Sequence, residues 1–223
     1  MPSSTVEDYL KKLCVLQQER RGGLVVMGTL ASAVGVTAGT ATTMVKALAE
    51  AGLVRYAPRG GCALTRRGKQ LALAVLRRHR IIELFLVQAL GLDWSEVHDE
   101  AEHLEHAVSD KVLEKMDALL GRPEVDPHGD PIPARRGTPR GKRAPRRTLA
   151  QCAVDQPQRV ARVLDQEPAF LRFVEKSGLS PGAAVTVVAR DPAADSVTLK
   201  AGPRHAPVTL GPGAAAKILV SPA

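Results

Sequence analysis

The chain has 223 residues, 44% of them hydrophobic but only 3% aromatic, with a formal net charge of +8. It is longer than one typical domain, its cores must be aliphatic and alanine-rich, and recognition by stacking bases on aromatic rings is not expected. The positive balance favours a polyanionic partner, and no apolar run approaches the roughly 18 residues a membrane span needs, so a cytoplasmic protein is expected.

Residues 5–20 read as a helix with Leu10, Leu13 and Leu16–Gln17 on a partly apolar face, stopped by Gly22–Gly23. The short apolar stretch Leu24–Val36 leads to Thr37-Ala-Gly and a second helical stretch to Ala51. There Ala41, Met44, Val45 and Leu48 recur at i, i+3, i+4 and i+7 and form one buried stripe. Gly52 ends it. Leu53–Tyr56 and Cys62–Thr65 flank Ala57-Pro-Arg-Gly-Gly61, which reads as a hairpin with a glycine-rich tip. Helix, helix, turn, helix, hairpin is the order of a winged helix-turn-helix.

A long helix is predicted from Arg66 to about Gly91, capped by Thr65, and another from about Ser95 to Leu120. Residues 121–147 are rich in Pro and Gly, with seven Lys/Arg and no acid between Ala134 and Arg147, and read as a linker. Beyond Thr148, Val-rich runs (Arg159–Leu164, Ala184–Arg190, Ser196–Lys200, Lys217–Val220) alternate with turns, interrupted by a helical stretch at Glu167–Ser177. The predicted fold is mostly α. A winged helix-turn-helix (1–74), a helical dimerisation and metal domain (75–122) and the linker (123–147) precede an SH3-like, FeoA-type small β-barrel (148–223).

The stripe fixes which face of the Thr37–Ala51 helix points outward. At about 100° per residue, Gly39, Thr42, Thr43, Lys46 and Glu50 lie opposite it. Small polar side chains let such a helix enter the major groove, and its first N–H groups, near Thr37, suit phosphates. Arg55, Arg59, Arg66, Arg67 and Lys69 decorate the hairpin and the next helix start, where phosphate contacts position the unit.

Four of six histidines fall between positions 79 and 106. On a continuous helix His98 and Glu105 project within about 60° of Glu102, and His106 about 40° to its other side. His79 and Glu83 share a face of the preceding helix. Two antiparallel helices presenting such faces can meet around a divalent ion. Cys14, Cys62 and Cys152 stand far apart, so a cysteine-ligated zinc is not expected. Oxygen and imidazole donors suit Mn(II), Fe(II), Co(II) or Zn(II). Neither H-E-x-x-H nor H-x-x-E-H occurs, so a zinc hydrolase, and an enzyme generally, is not expected. His128 and His205 stand alone in loop-like context and receive no role.

These residues together resemble the diphtheria-toxin-repressor and manganese-transport-regulator family of metal-dependent repressors. The likeness is carried by Val6-Glu-Asp-Tyr-Leu10, Leu76-Arg-Arg-His-Arg-Ile-Ile-Glu83, Gly91–Asp110, Asp126-Pro-His-Gly-Asp-Pro-Ile-Pro133 and Leu179-Ser-Pro-Gly-Ala-Ala-Val185. The resemblance implies a principal metal site of Asp8, Glu102, Glu105 and His106. It implies an ancillary site of His79, Glu83 and His98, with an acid from the third domain matched to Glu167. Iron-sensing members have Met at the first-helix ligand and Cys at the position of Glu102; here both are carboxylates. Manganese-type members place a second carboxylate one turn after the Asp, where this chain has Lys11. Oxygen-rich ligation puts Mn(II) ahead of Fe(II). The expected function is repression of metal-uptake or homeostasis genes by a homodimer on palindromic operator DNA, with no membrane partner. The rival is a winged-helix regulator with an organic effector.

Overall fold

A computed structural model describes residues 3–20, 23–135, 147–202 and 205–223. The chain divides into two compact units, the first running to His79 and the second beginning at Arg80 and taking in the C-terminal sheet.

In the first unit, α1 (Ser4–Glu19) starts where the Ser3 hydroxyl accepts the Val6 N–H. Helix α2 (Met27–Val34) ends at Gly35, whose φ of 74° turns the chain into α3 (Ala38–Glu50). Thr37 caps α3 by accepting the Thr40 N–H at 3.2 Å. The antiparallel strands β1 (Val54–Ala57) and β2 (Gly61–Leu64) form the wing, pairing Val54 with Leu64 and Ala57 with Gly61. Val25, just before α2, exchanges backbone hydrogen bonds with Cys62 and ties the wing to the helix pair. The predicted stripe is the core: Ala41, Val45 and Leu48 are buried with Leu10, Leu13, Leu30 and Val54.

Helix α4 (Arg66–Leu90) is one 25-residue helix. Thr65 caps it, its hydroxyl accepting the Gly68 N–H at 3.1 Å and donating to the Gly52 carbonyl at 2.8 Å. The single helix expected over 95–120 is instead two, α5 (Val97–Leu104) and α6 (Asp110–Leu119). The break has a local cause: Ser109 is extended (ψ 153°), and its hydroxyl accepts the Val112 N–H to open a new helix. Ile81, Ile82, Leu84, Leu86, Val97, Ala101, Leu113 and Ile132 form a second core.

Composition also placed residues from 123 onward in a linker. Its first part is a packed loop instead, since Asp126, His128, Asp130 and Ile132 are buried and Val125 bridges Pro131. Most of the basic stretch, 136–146, lies outside the described residues. The C-terminal part is a six-stranded antiparallel sheet in the order β3-β8-β4-β5-β6-β7. Its strands are β3 (Arg147–Thr148), β4 (Pro157–Val163), β5 (Ala184–Asp191), β6 (Ser196–Ala201), β7 (Val208–Leu210) and β8 (Ile218–Pro222). Bulges at Val160/Arg162 and Val187/Ala189 bend β4 and β5. Helices α7 (Pro168–Lys176) and α8 (Pro212–Ala216) complete this part, whose core holds Val160, Val163, Leu171, Val187, Ile218 and Trp94. No helix among the described residues is long and apolar enough to cross a membrane.

Candidate metal centre and DNA-facing helix

On α3, Thr37, Gly39, Thr43, Lys46 and Glu50 are exposed and Thr42 is half-buried, as the stripe requires. Thr42 donates its hydroxyl to the Ala38 carbonyl at 2.7 Å and Thr43 to the Gly39 carbonyl at 3.2 Å. Both hydroxyl hydrogens are thus turned inward, leaving methyl groups and oxygen lone pairs to face a ligand. Arg55, Arg59, Arg66, Arg67 and Lys69 are all exposed. Arg59, at the wing tip, has φ 63°, a left-handed turn conformation.

Three close histidine–carboxylate pairs among the residues singled out from the sequence form within the second unit. His98 Nδ1 lies 3.3 Å from Glu83 Oε1, and its Nε2 lies 3.3 Å from Glu102 Oε1. His106 Nε2 lies 3.4 Å from Glu105 Oε1. Glu105 is the C-terminal cap of α5 and is fully buried; His106 follows in the turn, so the break in the helix, not a continuous helical face, sets their pairing. In the first unit, Asp8 is half-buried on α1, and His79, four residues before Glu83 on α4, is buried. His103 is exposed. Glu167 caps α7, is exposed, and belongs to none of the close His/carboxylate groups among the described residues. Proline at the first position of α7 fixes that cap in a surface turn.

Sequence reasoning missed a third group. The carboxylates of Glu83 and Asp126 and the imidazole of His128 converge, with one donor atom of each within 4.8 Å of the others. Asp126 Oδ1 accepts the N–H groups of His128 and Asp130, both at 2.9 Å, closing the loop. Arg80 binds the same loop through the Pro131 carbonyl (2.6 Å) and Asp130 (3.0 Å), with its Nε 3.4 Å from Asp126 Oδ2. Burial, with the charges of Asp130 and Glu83, pushes the Asp126 carboxyl well above the usual range against the pull of Arg80. The available signal was the Asp-x-His-Gly-Asp spacing, in which Gly129 takes φ 86°.

The donor set across these groups is carboxylate and imidazole without thiolate, which fits a hard or borderline divalent ion. The architecture is that of a winged-helix regulator with a separate imidazole–carboxylate centre.

Comparison with known proteins agrees. Models of the iron dependent repressor family match residues 1–62 (N-terminal DNA binding domain) and 65–134 (metal binding and dimerisation domain), and a FeoA domain model matches 147–222. A solved manganese-dependent transcriptional repressor in complex with manganese is 42% identical, with a TM-score of 0.86, covering 98% of this chain and 100% of that one. The manganese regulator SloR is 31% identical, with a TM-score of 0.75, covering all of both chains. The iron-dependent repressor IdeR of Mycobacterium tuberculosis is 36% identical over 129 residues, 58% of this chain and 55% of that protein. The chain thus spans about half the length of the curated relatives it matches. It belongs to the diphtheria-toxin-repressor and manganese-transport-regulator family, with an N-terminal DNA-binding domain, a helical middle domain and a C-terminal FeoA domain.

Proposed function

We propose that this chain is a metal-dependent transcriptional repressor of metal-uptake or homeostasis genes, acting in the cytoplasm as a homodimer on palindromic operator DNA. Mn(II), with Fe(II) second, is its corepressor. The observation that carries this reading is the fully buried Glu105 carboxylate beside His106, on a chain whose α3 turns Gly39, Thr42, Thr43 and Lys46 away from its own core.

In this reading Asp8, Glu102, Glu105 and His106 hold the principal ion, and His79, Glu83 and His98 an ancillary one, with Glu167 as the acid of the third domain. A bound divalent ion supplies the positive charge that lets clustered carboxylates stay together. Asp8 sits on the first helix of the DNA-binding domain, so ligation there selects one arrangement of that domain over others. Thr37 and the first N–H groups of α3 take a phosphate, Arg59 reaches the backbone from the wing, and Thr42, Thr43 and Lys46 face base edges. The working parts are residues 1–74 for DNA, 75–122 for metal and dimerisation, and 148–223 as the SH3-like domain. The chemistry needed is binding, and no reaction is assigned.

The test is a gel-shift titration of the operator with chelator-treated protein across Mn(II), Fe(II), Co(II) and Zn(II). Retardation is expected only with metal, strongest with Mn(II), and weakened at least about tenfold by Glu105→Gln or Asp8→Ala, a loss of about 1.4 kcal/mol. Equal retardation of operator by protein in EDTA would overturn the reading and favour an organic effector.

A further inference from the structure

We propose that Glu7 and Arg78 are positioning residues for the metal response. Their ion pair holds α1 against α4 before any ion binds, and so sets the metal concentration at which the chain responds. The inference rests on the metal-dependent reading above and adds to it a device that works without metal. Within the first unit, α1 meets α4 in two ways. One is apolar: Leu10 and Leu13 are buried in the same core as Ala72, with Val6, Leu71 and Leu73 packed against it. The other, further along α4, is ionic: Arg78 Nη1 lies 3.7 Å from Glu7 Oε2. The two side chains are only 15% and 14% exposed, so salt screens them far less than it screens a surface pair.

Each member of the pair is the sequence neighbour of a residue assigned to an ion: Glu7 precedes Asp8, and Arg78 precedes His79. Successive helical residues diverge by about 100°, so the pair stands beside the ligands rather than among them. It fixes the rotation and height of α1 at Asp8 without spending a donor atom. In the reading above, Asp8 joins two further carboxylates around one ion, and like charges repel while that ion is absent. The attraction between Glu7 and Arg78 opposes that repulsion one residue away. Such pre-organisation has a definite signature. The apparent dissociation constant is the intrinsic one divided by the fraction of chains already competent to bind. A pair that raises this fraction lowers the Mn(II) needed and leaves operator affinity at saturating Mn(II) unchanged. Mere support of the fold would change both.

The test is a double-mutant cycle on the full chain, read by gel shift across Mn(II) concentrations. The probe is a DNA duplex selected from a random pool by the unaltered chain in Mn(II). Glu7→Gln and Arg78→Gln should each raise the Mn(II) needed for half-maximal retardation about fivefold, with retardation at saturating Mn(II) unchanged. The double variant should need no more Mn(II) than either single one. An additive shift of about twenty-fivefold would make the two residues independent and overturn the pair. So would an unshifted threshold in either single variant, or a loss of retardation at saturating Mn(II). Retardation by the unaltered chain in EDTA would instead sink the metal-dependent reading itself. A second measurement needs neither metal nor DNA. In EDTA, amide hydrogens over residues 8–14 of the unaltered chain should be protected from exchange, and Glu7→Gln should speed their exchange at least about tenfold. If the variants do not fold, exchange in the metal-free unaltered chain still decides: rates of an open chain over 8–14 overturn the proposal.

Discussion

At the scale of single residues, burial decides ionisation and reactivity. The Cys62 thiol is fully buried in β2, and loss of hydration pushes it up to about 11. The folded state thus favours the neutral thiol. Its contribution to stability is complete below the unfolded thiol's range and drains away as pH rises toward 11. Urea midpoints measured from pH 8 to 11 should fall less steeply in Cys62→Ala than in the unaltered chain. Native Cys62 should also resist iodoacetamide at pH 8, and rapid labelling there would contradict the buried wing strand. Residue identity was readable where the pattern is local: His98, Glu102, Glu105 and His106 stood out by density alone. His128 did not. Its partners Glu83 and Trp94 are 45 and 34 positions away in sequence, and proline and glycine on either side of it mimic a linker.

Among the elements, the winged helix was legible because its determinants are periodic or punctuated: the Ala41-Val45-Leu48 stripe, the Gly52 stop and the glycine-rich wing tip. The α5–α6 break was not, because a run of charged residues at helical spacing masked the Ser109 cap. Gly68 was equally silent. It lies in the first turn of α4, where alanine propensity alone would add about 1 kcal/mol. A Cβ there would stand 1.9 Å from the Leu53 carbonyl oxygen, which also accepts the Thr65 N–H at 3.0 Å. Backbone cannot yield as a flexible side chain can. Gly68→Ala should therefore destabilise the chain by about 2 kcal/mol, in the overpacking range, when followed by chemical denaturation. A stabilised variant would mean that α4 and the start of β1 part more easily than their hydrogen bonds suggest.

For the molecule as a whole, composition and order of elements were enough to read a DNA-binding domain, a helical middle and a β-rich end. They gave no reason for the β-rich end to exist. The loop carrying Asp126, His128 and Asp130 supplies one. The His128 carbonyl accepts the Val163 N–H at 2.9 Å, Gln166 donates to Asp130 at 3.2 Å, and Arg162 pairs with Asp130. Gly129 lies so close to β4 that a Cβ would fall 2.1 Å from the Ala161 carbonyl oxygen. The C-terminal sheet is thereby the mould against which this loop is cast, and not a passenger. A protein ended at residue 146 should keep the wing and its helices yet leave Asp126 and His128 without their backing. Calorimetric titration of that shortened form with Mn(II) should show weaker binding at Glu83 and unchanged folding of the winged helix. Natural variation that loosens β4 would then retune the metal threshold without touching a single ligand.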